Sequence, residues 1–301
     1  MQLFKRIALG LVIVVLTLVV LLFGSIIVDG FFSQSRLEPL TNMKVAAADG
    51  TEIRAYLAKP NGDGPFPAVI MIHEFYGLRP DMLKKAEALA DEGYIVIAPN
   101  VFRSGTTNWI PRAIYQIITA DTAQIDGDVE AIYQWLATQP DVQADRIGIM
   151  GFCFGGGTAL RYSLSNNKLA ATALFYGQPI TDPEKLKALS GPLLGIFGGA
   201  DFSIPTEDVA ALRQGLDEAG IPNEITIYEG QPHAFVGVME QIAQGGAPQE
   251  AWEQLLAFLH TNLQQSDGVV STRSLSYDEA AKGETVWPYL MRLAWSHLHH
   301  L

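Results

Sequence analysis

The sequence predicts an α/β domain, a mostly parallel central sheet with helices on both faces. Three observations carry this. Short apolar runs of strand length alternate with longer stretches of helical period from Pro67 to Leu263, the pattern of repeated strand–helix units. Several of these runs are apolar at nearly every position, as strands covered on both faces are. One of them, Arg146 to Met150, leads into Gly151-Phe152-Cys153-Phe154-Gly155-Gly156, a tight turn that opens a helix.

The first element is not part of that alternation. Ile7 to Val28 is a run of 22 uncharged residues, mostly Leu, Val and Ile, behind Lys5-Arg6. Its length matches a hydrocarbon core of about 30 Å. A cleaved signal peptide would have a shorter apolar stretch and an A-x-A-like site, and Ser25 to Gly30 offers none. The sequence therefore favours an uncleaved single-pass anchor over residues 1–28. The two basic residues predict a cytoplasmic N-terminus and an exported, periplasmic or extracellular, remainder. Residues 29–39 are expected to be a short polar linker.

Residues 40–265 are expected to form one domain. Met43–Ala48 and Glu52–Leu57 flank Asp49-Gly50, a hairpin signal. Pro67–Ile72 is the first buried strand and ends at His73-Glu74-Phe75-Tyr76-Gly77-Leu78. A helix follows over Asp81–Glu92 and stops at Gly93. The next strand is Tyr94–Ala98. The loop Asn100–Gly105 leads to a long helical region over Ile110–Thr138. After the turn at Cys153 and its helix come strands at Leu169–Tyr176 and Pro192–Phe197. A helix over Thr206–Ala219 ends at Gly220, Glu224–Tyr228 is the last strand, and Pro248–Leu263 the last helix of the domain.

Residues 266–301 fall outside the alternation. Ser266 to Ser276 is polar, and Trp287 to Leu301 places one apolar face on a helix, with docking on the domain as the default. His297, His299 and His300 have no acidic partner nearby and are read as solvent-facing, so no metal ligand set is expected.

Composition narrows the function classes. With 32 acidic against 20 basic side chains, the formal charge of −12 argues against a nucleic-acid or anionic-membrane surface as partner. A single cysteine excludes an intrachain disulfide, a CxxC pair and a thiolate zinc cluster. A lone cysteine is ordinarily a small buried hydrophobe, but Cys153 occupies the centre of a G-x-S-x-G nucleophile elbow. Such a turn needs small residues two positions either side, because the backbones pass closely. The helix opening behind the sulfur favours thiolate and a developing oxyanion.

A thiol nucleophile needs a base, and the base an orienting acid. In parallel-sheet hydrolases these follow the nucleophile in the order acid, then histidine, at strand ends. Asp201 follows the Pro192–Phe197 strand, 48 residues after Cys153, and His233 lies in the loop after the next strand. Backbone N–H groups of Phe154 and Phe75 are the expected oxyanion donors.

The elbow together with His73-Glu74-x-x-Gly77-Leu78 resembles the dienelactone hydrolase family of the α/β-hydrolase fold, over residues 40–265. The resemblance implies a Cys153–His233–Asp201 triad that hydrolyses small-molecule esters or lactones through a thioester, without a cofactor. It further implies that Glu74 takes the proton of Cys153 when substrate arrives. Arg103 falls where members acting on carboxylated lactones place an arginine for the substrate's carboxylate. Those members carry a second arginine four residues after the histidine, and here that residue is Gly237. Tyr76 and Phe235 are expected to line the substrate pocket, alongside Phe75, Phe102 and Phe154.

Overall fold

The computed structural model describes residues 2–265; the expected C-terminal linker and amphipathic helix lie outside the described residues. Its centre is an eight-stranded sheet in the order β1-β2-β4-β3-β5-β6-β7-β8. The strands are β1 (Met43–Ala46), β2 (Glu52–Ala58), β3 (Phe66–Ile72), β4 (Ile95–Pro99), β5 (Val142–Phe152), β6 (Ala171–Phe175), β7 (Leu193–Gly198) and β8 (Asn223–Tyr228). β1 and β2 pair antiparallel and β2 meets β4 antiparallel; every other pairing is parallel. This is the α/β architecture the sequence predicts.

Strands β3 and β6 are buried at nearly every residue because helices cover both faces of the sheet. On one face lie α2 (Pro80–Asp91), α7 (Thr206–Ala219) and α9 (Ala247–Leu259), around a core that includes Val69, Met71, Leu89, Ile196 and Leu255. The other face packs Ile70, Ile72, Ile97 and Ile149 against Ile125, Val129 and Ile132 of α4 (Thr122–Ala137).

The long helical region expected over Ile110–Thr138 is two helices, α3 (Ile110–Ile118) and α4. Asp121 breaks it: its carboxylate accepts from the backbone N–H of Ala123 and Gln124, capping α4. β5 is longer than expected, because Val142 pairs with Phe66 before a register shift brings Ile147 beside Ala68. Within the domain come also α5 (Phe154–Ser163), the single turns α6 (Pro183–Leu186) and α8 (Met239–Ile242), and a π-helical end, His260–Gln264, after α9.

The largest departure is at the N-terminus. α1 (Gln2–Leu37) is one unbroken helix, about 54 Å long at 1.5 Å per residue. It is long and apolar enough to cross a membrane, and its side chains are exposed between Phe4 and Phe23. Where a polar linker was expected from Asp29, the helix continues and docks on the domain. Ile26, Ser33 and Leu37 form its buried face. Asp29 pairs with Arg36 at 2.7 Å and accepts from the Thr107 hydroxyl, and Ser33 donates to the Ser104 carbonyl. The polar residues of this stretch thus serve a docked helix rather than a loop.

Candidate active site

The sharp turn between β5 and α5 holds Cys153 at φ 55° and ψ −118°, a left-sided conformation that costs a non-glycine residue free energy. The flanking glycines make it possible. A Cβ on Gly151 would stand 2.1 Å from the Gly155 carbonyl oxygen, and one on Gly155 would stand 2.3 Å from the carbonyl oxygen of Ile72. The turn is pinned to the sheet by Cys153 N–H donating to the Phe175 carbonyl at 2.9 Å. Cys153 is 1% exposed, and Phe154 supplies the first backbone N–H of α5.

Asp201 leaves the end of β7 and His233 lies in the loop after β8. His233 Nδ1 is 2.6 Å from Asp201 Oδ2, and both side chains are buried. The other carboxylate oxygen accepts from Ser203 N–H at 2.7 Å, Ser203 Oγ–H at 2.6 Å and Ile204 N–H at 3.1 Å. Burial alone would push Asp201 up, but these bonds and the imidazole hold it below its ordinary value. For His233, burial pulls down while negative charge on the neighbouring Cys153 sulfur, when it is ionised, and the Asp201 carboxylate pull up; with both, its pKa rises to about 10. The fold thus brings Cys153, His233 and Asp201 into one electrostatic unit.

Glu74, half-buried at the end of β3, borders a cavity of about 60 Å³ with Met82, Lys85 and Gly237. Its backbone is set by His73. Val101 N–H donates to His73 Nε2 at 3.1 Å, so Nδ1 carries the proton and donates to the Glu74 carbonyl at 2.6 Å. Burial pulls His73 down to about 4, keeping it neutral. Phe75 is buried, with its ring 4.2 Å from that of Tyr76. Tyr76 is half-buried under the Arg79 guanidinium, 4.9 Å from its ring centroid. Phe235 is 3% exposed and stacks near Tyr228, more core than open lining.

Arg103 does not stand free for a substrate carboxylate. Its guanidinium pairs with Asp128 through Nε at 3.0 Å and Nη2 at 2.6 Å, and with Asp49 through Nη1 at 2.5 Å. Asp128 is nearly fully buried, so this fork satisfies a charge that would otherwise be stranded.

Three residues the sequence reading passed over belong to the site. Ser203 supports Asp201 and lies 2.9 Å from His233 Nδ1; an Asp-x-Ser turn at a strand end was the available signal. Tyr176 is fully buried at φ 41°, with its ring centroid 5.0 Å from that of His233. Burial, then the charges of Glu74, Cys153 and Asp201, push its phenol far up, so it stays a donor, here to the Val236 carbonyl at 3.1 Å. Its position at the end of β6 is where the other site residues sit. Lys85 is 3% exposed, donates to the Gly237 carbonyl and lies 4.9 Å from the Phe152 ring centroid. A buried cation therefore reaches the backbone at Gly237. Among the described residues, no group of three or more His, Cys, Asp or Glu side chains is placed to hold a metal ion.

Comparison with known proteins gives the same frame. A protein of Escherichia coli called "Putative carboxymethylenebutenolidase" is 31% identical over 225 residues, covering 69% of this chain and 82% of its own. One of the same description from Synechocystis is 31% identical over 233 residues, covering 70% and 93%. The crystal structure of a "Putative Dienelactone Hydrolase" from Klebsiella pneumoniae superposes with a TM-score of 0.64 at 29% identity, covering 72% of this chain and 97% of that one. The model of the dienelactone hydrolase family matches residues 53–263, which contain the whole cluster around Cys153. With that match spanning most of the chain and those relatives covered over 82% and 93% of their lengths, the chain belongs to the dienelactone hydrolase family and is a dienelactone hydrolase-like hydrolase.

Proposed function

We propose that the protein is a carboxylic ester hydrolase for small esters or lactones, with Cys153 as nucleophile, His233 as acid and base, and Asp201 orienting His233. The observation that carries this reading is the strained Cys153 turn set against a buried His233–Asp201 pair whose proton affinity the thiolate raises. In the first half-reaction the Cys153 sulfur attacks the substrate's carbonyl carbon. A C–S bond forms and the carbonyl π electrons move to oxygen. Backbone N–H groups of Phe154 and Phe75 receive that oxyanion, each donor being worth about 2.7–4 kcal/mol in such sites. Collapse expels the alkoxide, and His233 gives it the proton; the new C–S bond has by then removed the sulfur's negative charge, the largest upward pull on the His233 imidazole, so the proton is released more readily. Water, activated by the now neutral His233, then attacks the thioester, releasing the acid and restoring the thiolate.

Glu74 enters before the first step, taking the Cys153 proton when substrate arrives and returning it to the sulfur once product has left, so the thiolate exists only between those two transfers. Its support is its place at the end of β3, where its charge acts on both Tyr76 and Tyr176 beside Cys153. With Arg103 committed to Asp49 and Asp128 and Gly237 in place of an arginine, neutral esters or lactones fit this site better than anionic ones.

We infer that α1 is an uncleaved membrane anchor with its N-terminus cytoplasmic and the catalytic domain exported, on the length of its apolar run and on Lys5-Arg6 before it. The enzymatic reading is tested by turnover of small aryl esters by the Cys153→Ala chain. Loss of turnover is expected, and full activity in that variant overturns the assignment.

A further inference from the structure

The stretch where α1 joins the domain carries an apolar surface that the reaction does not use. Ile27, Val28, Phe31 and Phe32 of α1 are exposed, Phe31 by 78%. They continue the apolar run beyond the point where the helix begins to dock. Beside them lies α3, whose outward face presents Trp109 at its N-terminus and Tyr115 and Ile118 along its length, all at least 41% exposed. A soluble domain has no reason to gather these groups on one short helix, and such patches mark contact surfaces.

The height of this patch is set by contacts. Trp109 Nε1–H donates to Ser25 Oγ at 3.1 Å, so the indole stands level with the last turns of the apolar run, which ends at Val28. The Arg112 guanidinium lies against the Gly30 backbone, where an added Cβ would be 3.2 Å from Cζ, and 5.2 Å from the Tyr115 ring centroid. Arg112 Nε, shut off from solvent, has no hydrogen-bond partner among the described residues. Trp and Tyr at the end of an apolar span are the residues that settle at a lipid headgroup boundary. The apolar side chains of a helix lying in that plane reach about 5–10 Å toward the acyl chains.

We propose that α3, with the outward face of α1 from Ile27 to Phe32, docks in the headgroup region of the bilayer that α1 crosses. This rests on reading α1 as a membrane span. The contact is not a side issue for the site. The loop entering α3 follows the carboxyl end of β4, the same end of the sheet that bears Cys153, Asp201 and His233. Thr106 Oγ–H and Thr107 N–H both donate to the Tyr76 carbonyl, at 3.1 and 2.9 Å. Docking therefore holds the catalytic end of the sheet beside the lipid, with Tyr76 tied to the docked loop, and esters dissolved in the bilayer become the nearest substrates.

The test uses the full chain in phosphatidylcholine vesicles, a zwitterionic surface in keeping with the net charge of −12. Nitroxide labels are placed, in a Cys153→Ser background, at Ile118→Cys and Tyr115→Cys. Val20→Cys serves as the span control, and Glu224→Cys, exposed at the amino end of β8 on the far side of the sheet, as the water control. Collisions with oxygen and with a soluble nickel complex are then compared. Labels at both α3 positions are expected to lose nickel collisions and gain oxygen collisions relative to Glu224. If Val20 is shielded while both α3 labels match Glu224, the docking proposal is overturned and the anchor stands. If Val20 itself meets nickel as freely as Glu224, the anchor reading fails and the proposal falls with it.

Discussion

Replacing Gly155 by alanine tests whether the elbow geometry controls the chemistry. The new Cβ would stand 2.3 Å from the Ile72 carbonyl oxygen and 2.5 Å from that of His73, whereas real Cβ atoms essentially never come within 3.0 Å. The neighbours must part by at least ~0.7 Å, and both clashing atoms are backbone, at the end of β3 where Glu74 and Phe75 begin. Overpacking of that kind costs about 1–3 kcal/mol of stability. The larger effect is catalytic: moving reacting groups by about 1 Å costs roughly 10²-fold in rate. Gly127→Ala is the matched control. Gly127 lies exposed within α4 with nothing within 4 Å of its added Cβ, so alanine should stabilise by about 0.4–1 kcal/mol through helix propensity and chain entropy. The assays are aryl ester turnover and urea unfolding. A Gly155→Ala chain with unaltered turnover number and unaltered unfolding midpoint would refute the account of the elbow.

Other predictions follow from individual contacts. Arg103→Ala strands the buried Asp128 carboxylate, so it should lower stability by about 3–5 kcal/mol while leaving KM for neutral esters unchanged; a large KM rise at unchanged stability would return Arg103 to the substrate site. Glu74→Gln should slow the acylation burst by about 10²-fold or more with little change in substrate affinity, and an unchanged burst rate removes Glu74 from the mechanism. Acid stability reports on His73. Its folded pKa of about 4 lies below the ordinary 6.5, so between these values the unfolded chain binds a proton that the native one refuses. Stability should fall as pH drops through this window, by about 3 kcal/mol in all, and His73→Asn should lack that part of the decline in urea unfolding. Equal pH dependence in the two chains would contradict the buried, neutral state of His73.

Much of the site was legible because it is written locally. Gly151, Gly155 and Gly156 around Cys153 record a steric demand that no other residues meet, and strand ends are marked by the residues that stop them. The positions of Asp201 and His233 followed from chain order once the elbow was recognised. The ion pairs of Arg103 were not legible because its partners, Asp49 and Asp128, lie 54 and 25 residues away, and nothing local shows that the hairpin tip and α4 converge on one loop. The stretch after Val28 looked like a linker because Asp29, Ser33 and Arg36 are polar. Their polarity serves a seam: Asp29, paired with Arg36 along the helix itself, also meets Thr107, and Ser33 meets Ser104, and these last two contacts exist only once the helix is docked. Tyr176 and Lys85 carry no motif at all. Their roles come from burial beside charged groups, which is a property of the fold.

The central claim is that catalysis proceeds through a thioester on Cys153. The most direct measurement is mass spectrometry of the full chain, quenched in acid during turnover of an aryl acetate and digested. A single acetyl group on the peptide containing Cys153, released by neutral hydroxylamine and persisting longer when His233, the base for its hydrolysis, is replaced by alanine, is the predicted result. Ester hydrolysis at full rate with no acyl group ever found on Cys153 would contradict it.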